Sequence, residues 1–244
     1  SAGYSWDAMS AEGSLSDRDR VRWLWALREM GRDLAWNQRY STMVVHNAGA
    51  TMIGALGKVG HYLEHFPEAA AWRELARDRL EWMFTGLLED GGWYEGTPGY
   101  HCFAVSGFYD YFKAAALIHD EDLFSLEFNG KSVGMMLDWV VKELTPLRVH
   151  TCNNDGQVEE IEKERLLELA ELGGNGEYVY LCGTPPGEPG PKFGKTVARV
   201  PSFTSVLLPD TGWAVLRDGW ETTDQYLCLD FGPKGGGHGH FDKG

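Results

Sequence analysis

Between Ser16 and about Glu143, apolar residues return every three or four positions, the period of helices that bury one face. Trp23, Leu27, Met30 and Leu34 recur at steps of four, three and four, and Ser16 followed by Asp19 resembles a capping box, so a first helix is predicted there. A second is predicted from about Thr42 to Val59. Its small residues Ala48, Gly49, Ala50, Gly54 and Ala55 imply a closely approaching neighbour, and His46 and Asn47 fall one turn inside it. A third opens at Pro67, where a missing N–H costs nothing, and carries Trp72, Ala76, Leu80, Met83 and Leu87 on one stripe. A fourth follows Pro98-Gly99 with Phe103, Phe108, Tyr109, Tyr111 and Phe112, a fifth covers about Ser132–Glu143, and an acidic sixth runs from Gln157 to Leu172.

The pattern then changes. Gly173-Gly174-Asn175-Gly176 ends the helical part, and the proline- and glycine-rich Pro185–Pro191 makes a stiff loop. After it come short β-prone runs at Thr196–Val200, Thr204–Leu208, Trp213–Arg217 and Tyr226–Phe231. Helices first and strands afterwards predict an α+β chain of two domains, 1–174 and 175–244, not an alternating parallel sheet.

Composition narrows the function classes. A 244-residue chain that is 43% hydrophobic can bury a large core, and a net charge of −14 argues against general nucleic-acid binding, which needs a basic face. Seven acids between Asp155 and Glu171, against Lys163 and Arg165, are read as one solvated helix face. The four cysteines are far apart and form no CxxC pair, so isolated buried thiols are expected. No run of about 18 apolar residues predicts a membrane span. The first residues lack a signal-peptide pattern and an initiator Met, and the chain is expected to be a processed or excised piece of a longer protein.

Three stretches carry candidate chemistry. In Asp90–His101, DGGWYEGTPGYH, glycines and Pro98 deliver Tyr100 to the first turn of a helix, where unpaired N–H groups favour negative charge and could lower a phenol's pKa; packing beneath the loop is the alternative for the same residue. Within Met43–Gly57, His46 is either a hydrogen-bonded core residue or a catalytic imidazole. The chain closes on GGGHGHFDKG, where histidines two apart on an extended segment face opposite ways, so His238 and His240 are given different tasks. Lesser candidates are Arg148 and Asn154, in a polar cluster with His150, Asn153 and Asp155, and the loop residues Trp93, Tyr94, Glu95 and His101. These are read as possible contacts to sugar hydroxyls, carboxylates or faces; the alternatives are a solvated loop for the polar cluster, packing on their own scaffold for Trp93 and Tyr94, and orientation of a neighbour for Glu95.

The order HNAG, DGGWYEGTPGYH, WAVLRDGW and LDFGPKGGGHGHFDK resembles the heparinase II/III-like polysaccharide lyases, a group with relatives that act on alginate oligosaccharides. The resemblance implies an incomplete (α/α) toroid of helix pairs followed by the start of an antiparallel β-sandwich. It implies a carbon–oxygen lyase that cleaves uronic-acid-containing glycans, heparin-like or alginate, by β-elimination, with an anionic polysaccharide as partner and a periplasmic or secreted setting. Such a reaction needs donors to steady the enolate-like intermediate and an acid and base at C5 and O4. His46, Asn47, Tyr100 and His238 are the residues it points to, with either His46 or Tyr100 as base. His240 would ligate a structural zinc found in some members, with Asp242 a second choice, a set too small to complete the site. Two rivals are a helical-barrel glycoside hydrolase, for which Asp90 and Glu95 are the nearest acids, and a non-catalytic glycan-binding protein.

Overall fold

A computed structural model describes residues 13, 15–40, 45–156 and 162–232; His238, His240 and Asp242 lie outside them. Seven α-helices are followed by three strands among the described residues: α1 Asp17–Tyr40, α2 Asn47–Tyr62, α3 Ala69–Met83, α4 Pro98–His119, α5 Val133–Glu143, α6 Lys163–Leu172, α7 Gly176–Leu181, β1 Val206–Leu208, β2 Trp213–Arg217 and β3 Tyr226–Asp230.

The helix ends follow side-chain caps more than apolar period. Ser16 Oγ accepts from Asp19 N–H at 3.2 Å and donates to its carboxylate at 2.6 Å, so the predicted start of α1 holds. Ser132 caps α5 and Thr97 caps α4, with Pro98 in its first turn. The start of α2 differs from the sequence reading. His46 is extended at φ −166° and is itself the cap, its Nδ1 accepting the Ala48 N–H at 3.0 Å, so Asn47 is the first helical residue. Six-residue α7, capped by Asn175, is absent from the sequence reading because it is too short to show a period and sits among glycines.

The small residues of α2 do meet a close neighbour, α4. A Cβ on Gly54 would lie 1.8 Å from the carbonyl oxygen of Gly107, and one on Gly107 would lie 2.8 Å from Thr51 N, so the two backbones touch. The contacts ascend together along both helices. Gly57 lies against the Tyr111 ring, and Lys58 Nζ pairs with Asp110 at 2.8 Å. The two helices therefore run parallel, and their N-termini lie at the same end of the pair. The core around them is aromatic, with Phe84, Phe108, Phe112 and Phe124 in a chain of ring contacts.

The strands form one antiparallel sheet in the order β1-β2-β3, with Val206 opposite Val215 and Val215 opposite Cys228. Trp213, Val215 and Arg217 are its buried face, and Trp213 packs on Trp139 of α5 at 5.2 Å between ring centres. The other face carries Leu207, Leu216, Leu227 and Leu229, all exposed. The predicted strand at Thr196–Val200 is instead a loop clasped to its predecessor, with Gly190 N–H on Thr196 O and Ala198 N–H on Glu188 O, both at 2.8 Å.

The acidic segment is not a solvated face throughout. Glu171 is 1% exposed and accepts the N–H groups of Lys192, Phe193 and Gly194 at 2.8 to 3.0 Å, while Glu168 pairs with Lys113 at 2.7 Å. Part of the acidity thus anchors the proline-rich loop to α6.

Candidate functional site

The loop Leu87–Thr97 joins the helix ends to the sheet. Gly91 adopts φ +92°, and a Cβ on Gly92 would meet Thr211 Oγ1 at 2.3 Å, so this turn admits no side chain at either position. Asp90 takes four donors: Gly92 N–H at 3.1 Å, Asp210 N–H at 3.0 Å, Thr211 N–H at 2.7 Å and Thr211 Oγ1–H at 2.9 Å. It ties the loop to the turn between β1 and β2.

Four predicted contact residues form a scaffold. Trp93 is 1% exposed and cannot present a face to a sugar; its indole N–H donates to Glu95 Oε2. The same Glu95 oxygen accepts Asn47 N–H at 3.1 Å, so this buried carboxylate holds the first turn of α2. His101 is fully buried, with Nδ1 accepting Trp93 N–H at 3.1 Å and Nε2–H donating to Met136 O at 3.0 Å. Burial pushes its pKa down to about 3, with the Met136 carbonyl opposing weakly, so the ring is neutral. It also stacks on Trp139 at 4.3 Å, which completes a continuous row from Trp213 through Trp139, His101, Trp93 and Glu95 to Asn47. Tyr94 is half-buried, and its hydroxyl donates to Val45 O.

The remaining candidates surround this scaffold. His46 and Asn47 are half-buried at the start of α2, and Tyr100 is half-buried in the first turn of α4, its N–H on Thr97 Oγ1 at 3.3 Å. The parallel packing and the Glu95 bond bring both helix starts to one end. His46 Nδ1 lies 3.0 Å from Ala48 N and 3.3 Å from Asn47 Oδ1; in the tautomer whose Nδ1 accepts the Ala48 N–H, Nε2 carries the proton and offers a donor. Asn154 donates to Gly96 O at 2.6 Å, so the 151–156 loop lies against the loop that delivers Tyr100. Arg148, at φ +63°, donates to Pro146 O and lies 5.6 Å over the Tyr180 ring.

Neither acid of the hydrolase reading stands open beside a scissile bond, since Asp90 and Glu95 are both committed to donors. Among the described residues no three His, Cys, Asp or Glu side chains are arranged to hold a metal, and no helix is long and apolar enough to cross a membrane. The zinc candidate His240 lies outside those residues.

The family model "Heparinase II/III N-terminus" matches residues 9–171. The chain belongs to this family. Heparinase III, the BT4657 gene product with methylated lysines, superposes with a TM-score of 0.70 at 22% identity over 92% of this chain. The heparan sulfate lyase HepC from Pedobacter heparinus gives 0.63 at 19% over 79%, and a crystal structure titled heparinase III gives 0.64 at 19% over 86%. This family member spans only 29% to 32% of the length of those structures. No curated protein sequence matches it.

Sequence reading missed the cap Thr97 and the joining of His150, named there only among polar loop residues, to Cys102 and Glu143 in one cluster. Thr97 follows the Ser/Thr-Pro signature of a helix start and was legible there; the cluster joins residues 41 and 48 apart, and no spacing rule signals it.

Proposed function

We propose that this chain supplies the helical side of a polysaccharide lyase site that cleaves uronic-acid-containing glycans by β-elimination. The observation that carries the reading is the parallel contact of α2 and α4, which sets His46, Asn47 and Tyr100 at one end. The N-terminus of α4 there favours negative charge, that of α2 being met already by Glu95, and this suits a uronate carboxylate whose charge grows as C5 loses its proton.

Elimination removes the C5 proton, forms the C4=C5 double bond and breaks the C4–O bond, and the leaving oxygen gains a proton. His46 Nε2–H and the Asn47 amide are donors for the carboxylate, joined by His238 from the segment after β3. With the His46 Nδ1 lone pair committed to the Ala48 N–H, Tyr100 takes both proton transfers, which corresponds to proton and leaving group on the same sugar face. We extend the reading to an (α/α) toroid and a β-sandwich. The parallel helix pair and the apolar outer face Leu207, Leu216, Leu227 and Leu229, suited to cover by a second sheet, support that extension. The structural neighbours named for heparin and heparan sulfate favour a heparin-like glycan over alginate, in a periplasmic or secreted setting.

The test follows ultraviolet absorbance of the conjugated uronate product on heparan sulfate and alginate. Tyr100→Phe is expected to lower turnover by about 10²- to 10⁴-fold while oligosaccharide binding persists. New reducing ends without that absorbance, or an undiminished Tyr100→Phe enzyme, would refute the reading.

A further inference from the structure

From Gly99, beside Tyr100, a cavity of about 560 Å³ extends between α1, α2, α4 and α6. Leu27, Met30, Val59 and Phe103 make much of its wall apolar, and Cys102 and His150 both reach it. The charged side chains that line it are two of each sign, Lys58 paired with Asp110 at 2.8 Å, and Arg165 and Glu162, so the cavity suits a neutral ligand better than an anion.

Cys102, His150 and Glu143 are strung in line. His150 Nε2 lies 3.6 Å from Cys102 Sγ, and Nδ1 meets Glu143 Oε1, whose second oxygen accepts Thr151 N–H at 3.2 Å. Glu143 is 0% exposed and is held at the end of α5. Its hydrogen bond fixes Nδ1 as the donating nitrogen, which turns Nε2 toward the thiol. Burial opposes a charge on His150, but Cys102 and Glu143 outweigh it and hold the imidazole's pKa well above its ordinary value. The arrangement is that of an activated thiol: an imidazole at hydrogen-bond reach, oriented by a third group. Because the groups do not converge on a point, they make no metal site.

We propose that Cys102 is a nucleophilic modification site for neutral α,β-unsaturated carbonyl compounds with a small apolar arm, which the cavity admits. The Cys102 proton passes to His150 Nε2, the sulfur forms a C–S bond to the β-carbon as the C=C π pair moves toward the carbonyl, and the α-carbon takes the proton from the imidazolium. The product is a thioether; no group leaves and nothing is oxidised.

The same molecule holds its own controls. Cys152 is exposed, but its thiol donates to Gly156 O at 3.3 Å, and burial pushes Cys182 to about 12 and Cys228 to about 11. The experiment treats the folded chain with limiting N-ethylmaleimide near neutral pH and locates the adduct by peptide mass spectrometry. Cys102 is expected to react at least about tenfold faster than Cys152, despite its lower exposure, and to lose that lead when the chain is unfolded in urea. His150→Gln is expected to slow Cys102 about tenfold and leave Cys152 unchanged. Labelling that begins at Cys152, or a Cys102 preference that survives in urea or in natively folded His150→Gln, would overturn the proposal.

Discussion

Removing the carboxylate of Asp90 should uncouple the sheet from the helices. In Asp90→Ala all four donors lose their acceptor, two of them backbone N–H groups of the turn between β1 and β2. Hydrogen bonds to a charged group contribute about 1.5–3 kcal/mol each, but water reaches half-exposed Asp90 and the bonds share one side chain, so a loss of about 3–5 kcal/mol is expected. For a chain of this length that is a fall in Tm of roughly 6–20 °C. Asp90→Asn behaves differently. With its amide oxygen in place of Oδ2 it still accepts Asp210 and Thr211 N–H, and its NH₂ can donate to Thr211 Oγ1, so only the Gly92 N–H and the Thr211 hydroxyl proton lose their acceptor, at about 1–2 kcal/mol together. Thermal melts followed by circular dichroism read both variants. Equal shifts for Ala and Asn, or an Ala variant within about 1 °C of the wild type, would refute the assignment of the latch to these four bonds.

Further outcomes follow from packing and charge. Gly54→Ala gains up to about 1 kcal/mol of helix propensity but places a methyl 1.8 Å from Gly107 O, so chemical denaturation should show a net loss of about 1–3 kcal/mol. Gly134→Ala, whose Cβ would meet nothing nearer than Ser132 Oγ at 3.5 Å, should be neutral or slightly stabilising. In pH titrations of stability, His61 and His101, both held near 3 chiefly by burial, contribute stability that is full above the unfolded value of about 6.5 and lost as pH falls toward 3, at up to about 1.4 kcal/mol per pH unit each. His150, raised, contributes stability present below about 6.5 and lost as pH climbs through its folded value. His101→Phe, if it folds, should flatten the acid limb; an unchanged acid slope would count against the neutral assignment.

Much of the architecture was readable because it rests on local rules. Ser16, Ser132 and Pro98 marked helix starts, and Trp213–Arg217 alternates as a strand with one buried face. The small residues of α2 announced a close neighbour but not its identity, which depends on Gly107, in another helix. His46 was misplaced inside the helix because apolar period cannot distinguish a cap from a first turn. For Trp93 and Glu95, in a glycine-rich loop, the sequence leaves sugar contact, scaffold packing and orientation of a neighbour all open, because the residues that enclose both are distant in the chain. Thr196–Val200 has strand propensity, but its backbone groups are taken by the preceding loop, which leaves no ladder to join. The acids Glu168 and Glu171 read as solvated because nothing local reveals Lys113 or the three amides that claim them.

The row of side chains from Trp213 to Asn47 has a mechanical consequence. One stacked and one tilted ring contact, followed by three matched hydrogen bonds, link the sheet to the start of α2, so the sheet cannot swing there without breaking several contacts at once. Any groove between them has a wall of fixed height there. Under the proposed lyase reading, polymers of different girth would then be accommodated by loops farther out along the groove, with the proposed reacting groups kept at one spacing.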